Sequence, residues 1–299
     1  MKTIKTYVFA ALTVISAALN AQKPISVTED SIAFKSGKYP GVLVTIPEFN
    51  FENAQKHWIK DLQDGTKSKV ITEDGEMTIF GANLKKVSPN PVNIYSKFIN
   101  RDTILLLGVT VELGKDKYVE RSNGENEVTE VKIYLRQFAK DEYVDFIKDE
   151  LNAKNKDLKD LQNELESLQN KNLKIHKSIE SNKTDISQAE LNITTMSNEA
   201  DKLTKDIIEQ KNSISTMESG VSKDQKEGYI KDTEKLKNKL VKDIESSRNK
   251  INKMNAEIDQ FEDDIVKNES DQQIMKDKIA KQEVVVQECS DKLAKVEAY

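Results

Sequence analysis

From residue 144 onward the sequence carries a heptad repeat that few folds can accommodate. One core series is Val144, Leu151, Leu158, Leu165, Asn172, Ile179, Ile186, Ile193, Ala200, Ile207 and Ile214. The other is Ile147, Lys154, Leu161, Leu168, Ile175, Asn182, Ala189, Met196, Leu203, Gln210 and Met217. Alternate steps of three and four residues make a 3.5-residue period, which keeps a narrow apolar seam of a helix turned toward a partner. The pattern holds for roughly ten heptads, well beyond the three or four that identify a coiled coil.

The repeat stops at Glu218-Ser219-Gly220, and Gly228 follows a polar stretch from Val221 to Glu227. A second series then runs through Ile230, Lys237, Leu240, Ile244, Ile251, Met254, Ile258, Phe261, Ile265, Met275, Ile279, Val286, Cys289, Leu293 and Val296. Thr233, Ser247, Asn268, Gln272 and Gln282 are its polar members. Two such helices joined by a short loop fold back on each other. The reading is a coiled-coil hairpin over 141–299, with a helix at 141–218, a loop at 219–228 and a helix at 229–299. A register in which facing residue numbers sum to about 447 sets Met217 against Ile230, Ile186 against Phe261 and Ala189 against Ile258. Sliding by one heptad, to about 454, would pair Asn172 with Gln282 and Asn182 with Gln272, at the expense of a longer loop. At 1.5 Å per residue each helix would be on the order of 100 Å long. Asn172, Asn182 and Gln210 on the seam read as register-setting polar residues.

Residues 22–140 read as a small α+β domain. Gly41–Ile46 is a β-branched run closed by Pro47. Asn50 can cap a helix whose Phe51, Ala54, Trp58 and Leu62 recur at three- and four-residue spacing, with Gly65 where the helix stops. Asp74-Gly75, between alternating residues on either side, is a two-residue hairpin signal, because that turn needs positive φ twice. Val92–Ile99 and Thr103–Leu113 form a second hairpin around Asn100-Arg101-Asp102. Val131, Ile133 and Leu135 alternate with Lys132, Tyr134 and Arg136, which predicts a final strand after a polar loop at 114–127. The sum is an antiparallel sheet with one covering helix, hence an α+β chain with a helical hairpin after it.

Residues 1–21 read as a signal peptide. Lys2 and Lys5 precede an apolar run from Tyr7 to Leu19, and Leu19-Asn20-Ala21 sets a small residue before a cut at Gln22. No second segment is apolar enough to span a bilayer, so the mature chain is expected to lack an integral membrane segment. Export to the periplasm or the cell exterior follows. Losing the two lysines takes the formal charge from −5 to −7. An acidic chain with both signs finely mixed offers no footprint for nucleic acid.

No catalytic, cofactor or metal site is expected. The chain has two histidines, His57 and His176, and His57 has no partner evident in sequence. There is no phosphate loop, no nucleophile elbow and no His/Cys cluster of ligand spacing. Glu48, Glu52, Asp61 and Asp64 read as a solvated face rather than as paired carboxylates. Cys289, the one cysteine, falls on the seam as a small buried hydrophobe. Long heptad helices resemble the arms of chromosome-maintenance ATPases and tropomyosin-like rods, here without a phosphate loop. Leader, small domain and hairpin together resemble exported coiled-coil proteins of Gram-negative envelopes. Efflux-pump adaptors carry such a hairpin, theirs being inserted in a lipoyl domain; periplasmic chaperones with helical tentacles share the architecture but are typically basic. The resemblance implies a non-enzymatic envelope protein whose α+β domain binds or anchors while the hairpin spaces or assembles, with a protein partner or a second copy of itself. A holdase-type chaperone is the alternative.

Overall fold

The computed structural model describes residues 24–101, 104–122 and 124–298; the signal-peptide reading lies outside the described residues. Strands β1 (Val27–Phe34) and β2 (Gly37–Pro47) precede helix α1 (Phe51–Leu62). Four more strands follow: β3 (Ile71–Glu73), β4 (Glu76–Ala82), β5 (Val92–Arg101) and β6 (Ile104–Gly114), with a short β7 (Lys117–Tyr118). Helices α2 (Glu125–Ser215) and α3 (Val221–Glu297) complete the chain. The fold is α+β, an antiparallel sheet followed by a helical hairpin. None of these helices is long and apolar enough to cross a membrane.

Contacts divide the chain into two compact units, one of residues up to Leu158 with Lys281–Tyr299, the other of Lys159–Ala280. In the first, the sheet order is β1-β2-β6-β5-β4-β3, with β7 on the end of β6. Asp74 and Gly75 take φ of 50° and 82°, the two positive values that the β3–β4 turn demands. Asn50 caps α1, its side chain accepting from Asn53 N at 3.1 Å. That helix buries Ala54, Trp58 and Leu62 on the sheet face formed by Met77, Ile79, Ile94, Leu105 and Leu107. Trp58 Nε1 donates to Ser96 Oγ at 2.9 Å, so the buried indole leaves no polar atom unpaired.

Three expectations need correction. The predicted strand around Val131–Arg136 is helix, because α2 starts at Glu125. Val128, Val131, Leu135, Phe138 and Ala139 recur at helical spacing and are buried, whereas Ile133, the central apolar residue of the supposed strand, is half exposed. The sheet therefore has a second covering helix, and Tyr143, Val144 and Ile147 continue the same buried stripe. The strand β1 had no distinct signal in sequence and lies at one end of the sheet order.

The third correction concerns the hairpin. In the second unit none of the seam residues named above is exposed, while most residues between them are, so the phase of the repeat holds. The helix-to-helix connection is much shorter than 219–228, since only residues 216–220 separate α2 from α3. Lys223 and Lys226 sit one heptad before Ile230 and Thr233, and Lys226 Nζ donates to Ser213 Oγ at 2.5 Å. Moving the turn toward the N-terminus lowers the register by the same logic. Asn172 Nδ2 donates to Asn268 Oδ1 at 3.3 Å, and the Lys211 and Glu234 side chains meet at 2.7 Å. Facing numbers thus sum to about 440, one heptad below the first register considered and two below the second. Ile179 and Phe261 come opposite each other, and both belong to the cluster that holds Ile175 and Ile258.

Candidate functional site

Along α1 the residues between the buried ones, His57, Lys60 and Asp61, fall on one flank, with Asp64 just past its end. On α2, Phe138, Asp141, Glu142 and Asp145 share a face at i, i+3, i+4 and i+7. The two sets line a cleft of about 340 Å³. His57 Nδ1 lies 2.8 Å from Glu142 Oε1, and the Glu142 side chain is 6% exposed against 42% for His57. Burial pushes the Glu142 carboxyl above its usual range, opposed by the contact with His57. Burial also raises Asp61, although Tyr134 donates its hydroxyl to Asp61 Oδ2 at 3.0 Å. The same burial, with the Asp61 carboxylate beside it, raises the Tyr134 phenol.

The cleft is therefore acidic, with five carboxyls against Lys60 and the imidazole. It disfavours phosphates and other anions. His57 Nδ1 is engaged by Glu142, and the lining includes no hydroxyl or thiol nucleophile. Among the described residues no group of three or more His, Cys, Asp or Glu is arranged to hold a metal ion. Glu142 is 85 positions from His57 in sequence, so no local pattern pairs them. Asp61 and Asp64 line this cleft rather than a solvated face. Glu52 stays exposed, and His176 is exposed on α2 of the second unit.

A second cluster ties the base of the hairpin into the domain. Glu48, at φ 50° just after β2, forms an ion pair with Lys292 of α3, whose Nζ is also 3.8 Å from a Glu150 carboxylate oxygen and 5.9 Å from the Tyr143 ring centre. Burial works against the Lys292 ammonium, but the pair with Glu48 outweighs it and holds the pKa above its usual value. Cys289 is buried as expected, with its Sγ 3.8 Å from Ile147 O, and burial pushes its thiol pKa up.

The sheet face turned away from α1 carries aromatic rings. Tyr39 stacks near Tyr95 at 6.4 Å and near Tyr118 at 4.9 Å, while Phe34 and Phe80 flank Tyr95 at 6.3 and 6.4 Å. Beneath them Glu112 accepts from Asn93 Nδ2 at 2.9 Å, Tyr95 Oη at 3.2 Å and Asp116 N at 3.0 Å. Burial alone would raise this carboxyl, but the three donors hold it below its usual range. Burial and Glu112 push Tyr95 up to about 12. No protein-family model matches this chain, and a search of curated proteins finds no match to it.

Proposed function

We propose that the protein is a non-enzymatic, exported adaptor of the cell envelope, in which the α+β domain binds or anchors and the helical hairpin spaces or assembles. One observation carries this reading. The base of the hairpin is part of the domain's own core, with Tyr143, Val144 and Ile147 of α2 and Cys289 and Val296 of α3 buried among the strands. Each fully buried apolar side chain is worth about 1.5–3 kcal/mol, so the two helical bases cannot leave the sheet without unfolding it. A tether would be joined by a polar linker instead. The two helical bases are thus built into the sheet domain itself.

The holdase reading draws on a different observation, the apolar side chains exposed along the hairpin, among them Leu173, Leu191, Ile208 and Val266, each more than half exposed. One pair of measurements separates the two. The mature chain, residues 22–299, is sized by light scattering and then mixed with an aggregation-prone unfolded client. The adaptor reading expects a defined oligomeric state and no protection of the client. Protection at or below one protein per client would replace it with the chaperone reading. Export is tested separately by fusing residues 1–30 to alkaline phosphatase, which is active only outside the cytoplasm; an inactive fusion would remove the envelope from the proposal.

A further inference from the structure

On the aromatic face of the sheet a cleft of about 360 Å³ opens between the β1–β2 tip and the β3–β4 hairpin. Its apolar walls include Phe34, Phe80 and Tyr95, and its carboxylates are Glu73 and Glu76. We propose that this cleft binds an organic cation, an alkylated ammonium group of the kind choline carries. The inference stands apart from the adaptor reading and does not depend on it.

Four features point to such a ligand. First, the rings do not lie in one plane: Tyr95 meets Phe34 at 59° and Phe80 at 87°. Such tilted and edge-to-face contacts hold aromatic side chains of β1, β4 and β5 at one cleft, where exposed ring surface attracts a cation; a sugar needs a flat, open platform. Second, the charge is complementary. Lys35 is the one cation among the lining residues, and its ammonium is taken by Asp74. Third, Lys97 Nζ lies 5.4 Å from the centre of Phe34, so this cluster accommodates an ammonium; with Phe34 taken and buried, Phe80 and Tyr95 are the rings left for a ligand. Fourth, the strand is bent to present Phe80. Between the pairs Ile79–Ile94 and Ala82–Val92 the register shifts, and Gly81 takes φ of 81°. Such a bulge re-aims the side chain beside it, and Phe80 is left 53% exposed.

The cleft is also held in shape without a ligand. Lys35 N donates to Glu76 Oε1 at 3.0 Å, Tyr39 donates its hydroxyl to Ser36 O at 2.9 Å, and Tyr95 is fixed by Glu112. Preorganisation of this kind lowers the entropy a ligand must give up.

The test titrates the full mature chain with choline and with its neutral carbon isostere, 3,3-dimethylbutan-1-ol, by calorimetry and amide NMR. Choline is expected to bind saturably and to shift resonances at 34–36, 71–80 and 95, with the isostere about tenfold weaker. Phe80→Ala and Glu73→Gln, both at the rim, should each weaken choline by about fivefold or more while leaving the thermal transition unchanged. Sedimentation with phosphatidylcholine or phosphatidylglycerol vesicles identifies the source: retention by the former alone assigns a lipid headgroup, and retention by neither, with choline still bound, assigns a free cation. Equal binding of the isostere, indifference to both substitutions in folded protein, or no saturable binding would overturn the proposal.

Discussion

Asp61 and Glu142 illustrate what burial does to a single carboxyl. Both are held above the ordinary carboxylate range because their charged forms are poorly solvated. A raised pKa means that the folded state holds the proton more tightly than the unfolded chain. Their contribution to stability is therefore present at low pH and is lost as pH rises from the ordinary carboxylate range through the raised values. Glu112 has the opposite sign, since its lowered pKa adds stability above the ordinary range that is lost on acidification. Asp61→Asn keeps an acceptor for the Tyr134 hydroxyl and removes the charge. Melting curves from pH 4 to pH 8 should show the variant a few degrees more stable at neutral pH and less sensitive to pH. A lower melting temperature at pH 7 would mean that the carboxylate is stabilising there.

The hairpin places its predictions at the scale of the element. Gly228, which the sequence suggested as a loop residue, lies inside α3, and a Cβ added there meets nothing within 4 Å. Gly228→Ala should therefore stabilise the helix by roughly 0.5–1 kcal/mol, read from denaturant titrations. A loop at 219–228 would give no such gain. Register is tested by oxidising cysteine pairs in a Cys289→Ala background. The pair at 172 and 268, whose side chains meet at 3.3 Å, should crosslink readily. Pairs at 186 and 261 or at 193 and 261, which the registers near 447 and 454 would have joined, should not. Asn268 is 3% exposed, with its Nδ2 unpartnered while its Oδ1 accepts from Asn172 and, at 2.7 Å, from Gln272. This polar layer gives up stability for register, which is what such residues do in a coiled coil.

At the scale of the whole molecule, the question is whether the last turns of the chain belong to the sheet domain. Val296 is fully buried in the same core as the strands. Val296→Asp would place an unpaired charge there, at a cost on the order of 3–5 kcal/mol. Trp58, the one tryptophan, lies in that core and reports its unfolding by fluorescence. The variant should lower the midpoint of the Trp58 transition, although the two positions are far apart in sequence. An unchanged midpoint would make the end of α3 dispensable to the sheet and would remove the observation on which the adaptor reading rests. What the sequence by itself determined are features written in short windows: the heptad phase, the Asn50 cap, the Asp74-Gly75 turn and the α+β class. Periodicity and turn chemistry act between near neighbours, so they are legible there. The alternation over 131–136 misled because three apolar residues are too few to distinguish a strand from a helix whose stripe begins at Val128. Only the tertiary structure decided the rest. A heptad seam fits equally well after a slide of seven residues, so the register waited on the length of the turn. The His57–Glu142 contact, the acidic cleft and the ring cluster join residues far apart in the chain, and the pairing of strands and helices is what brings them together.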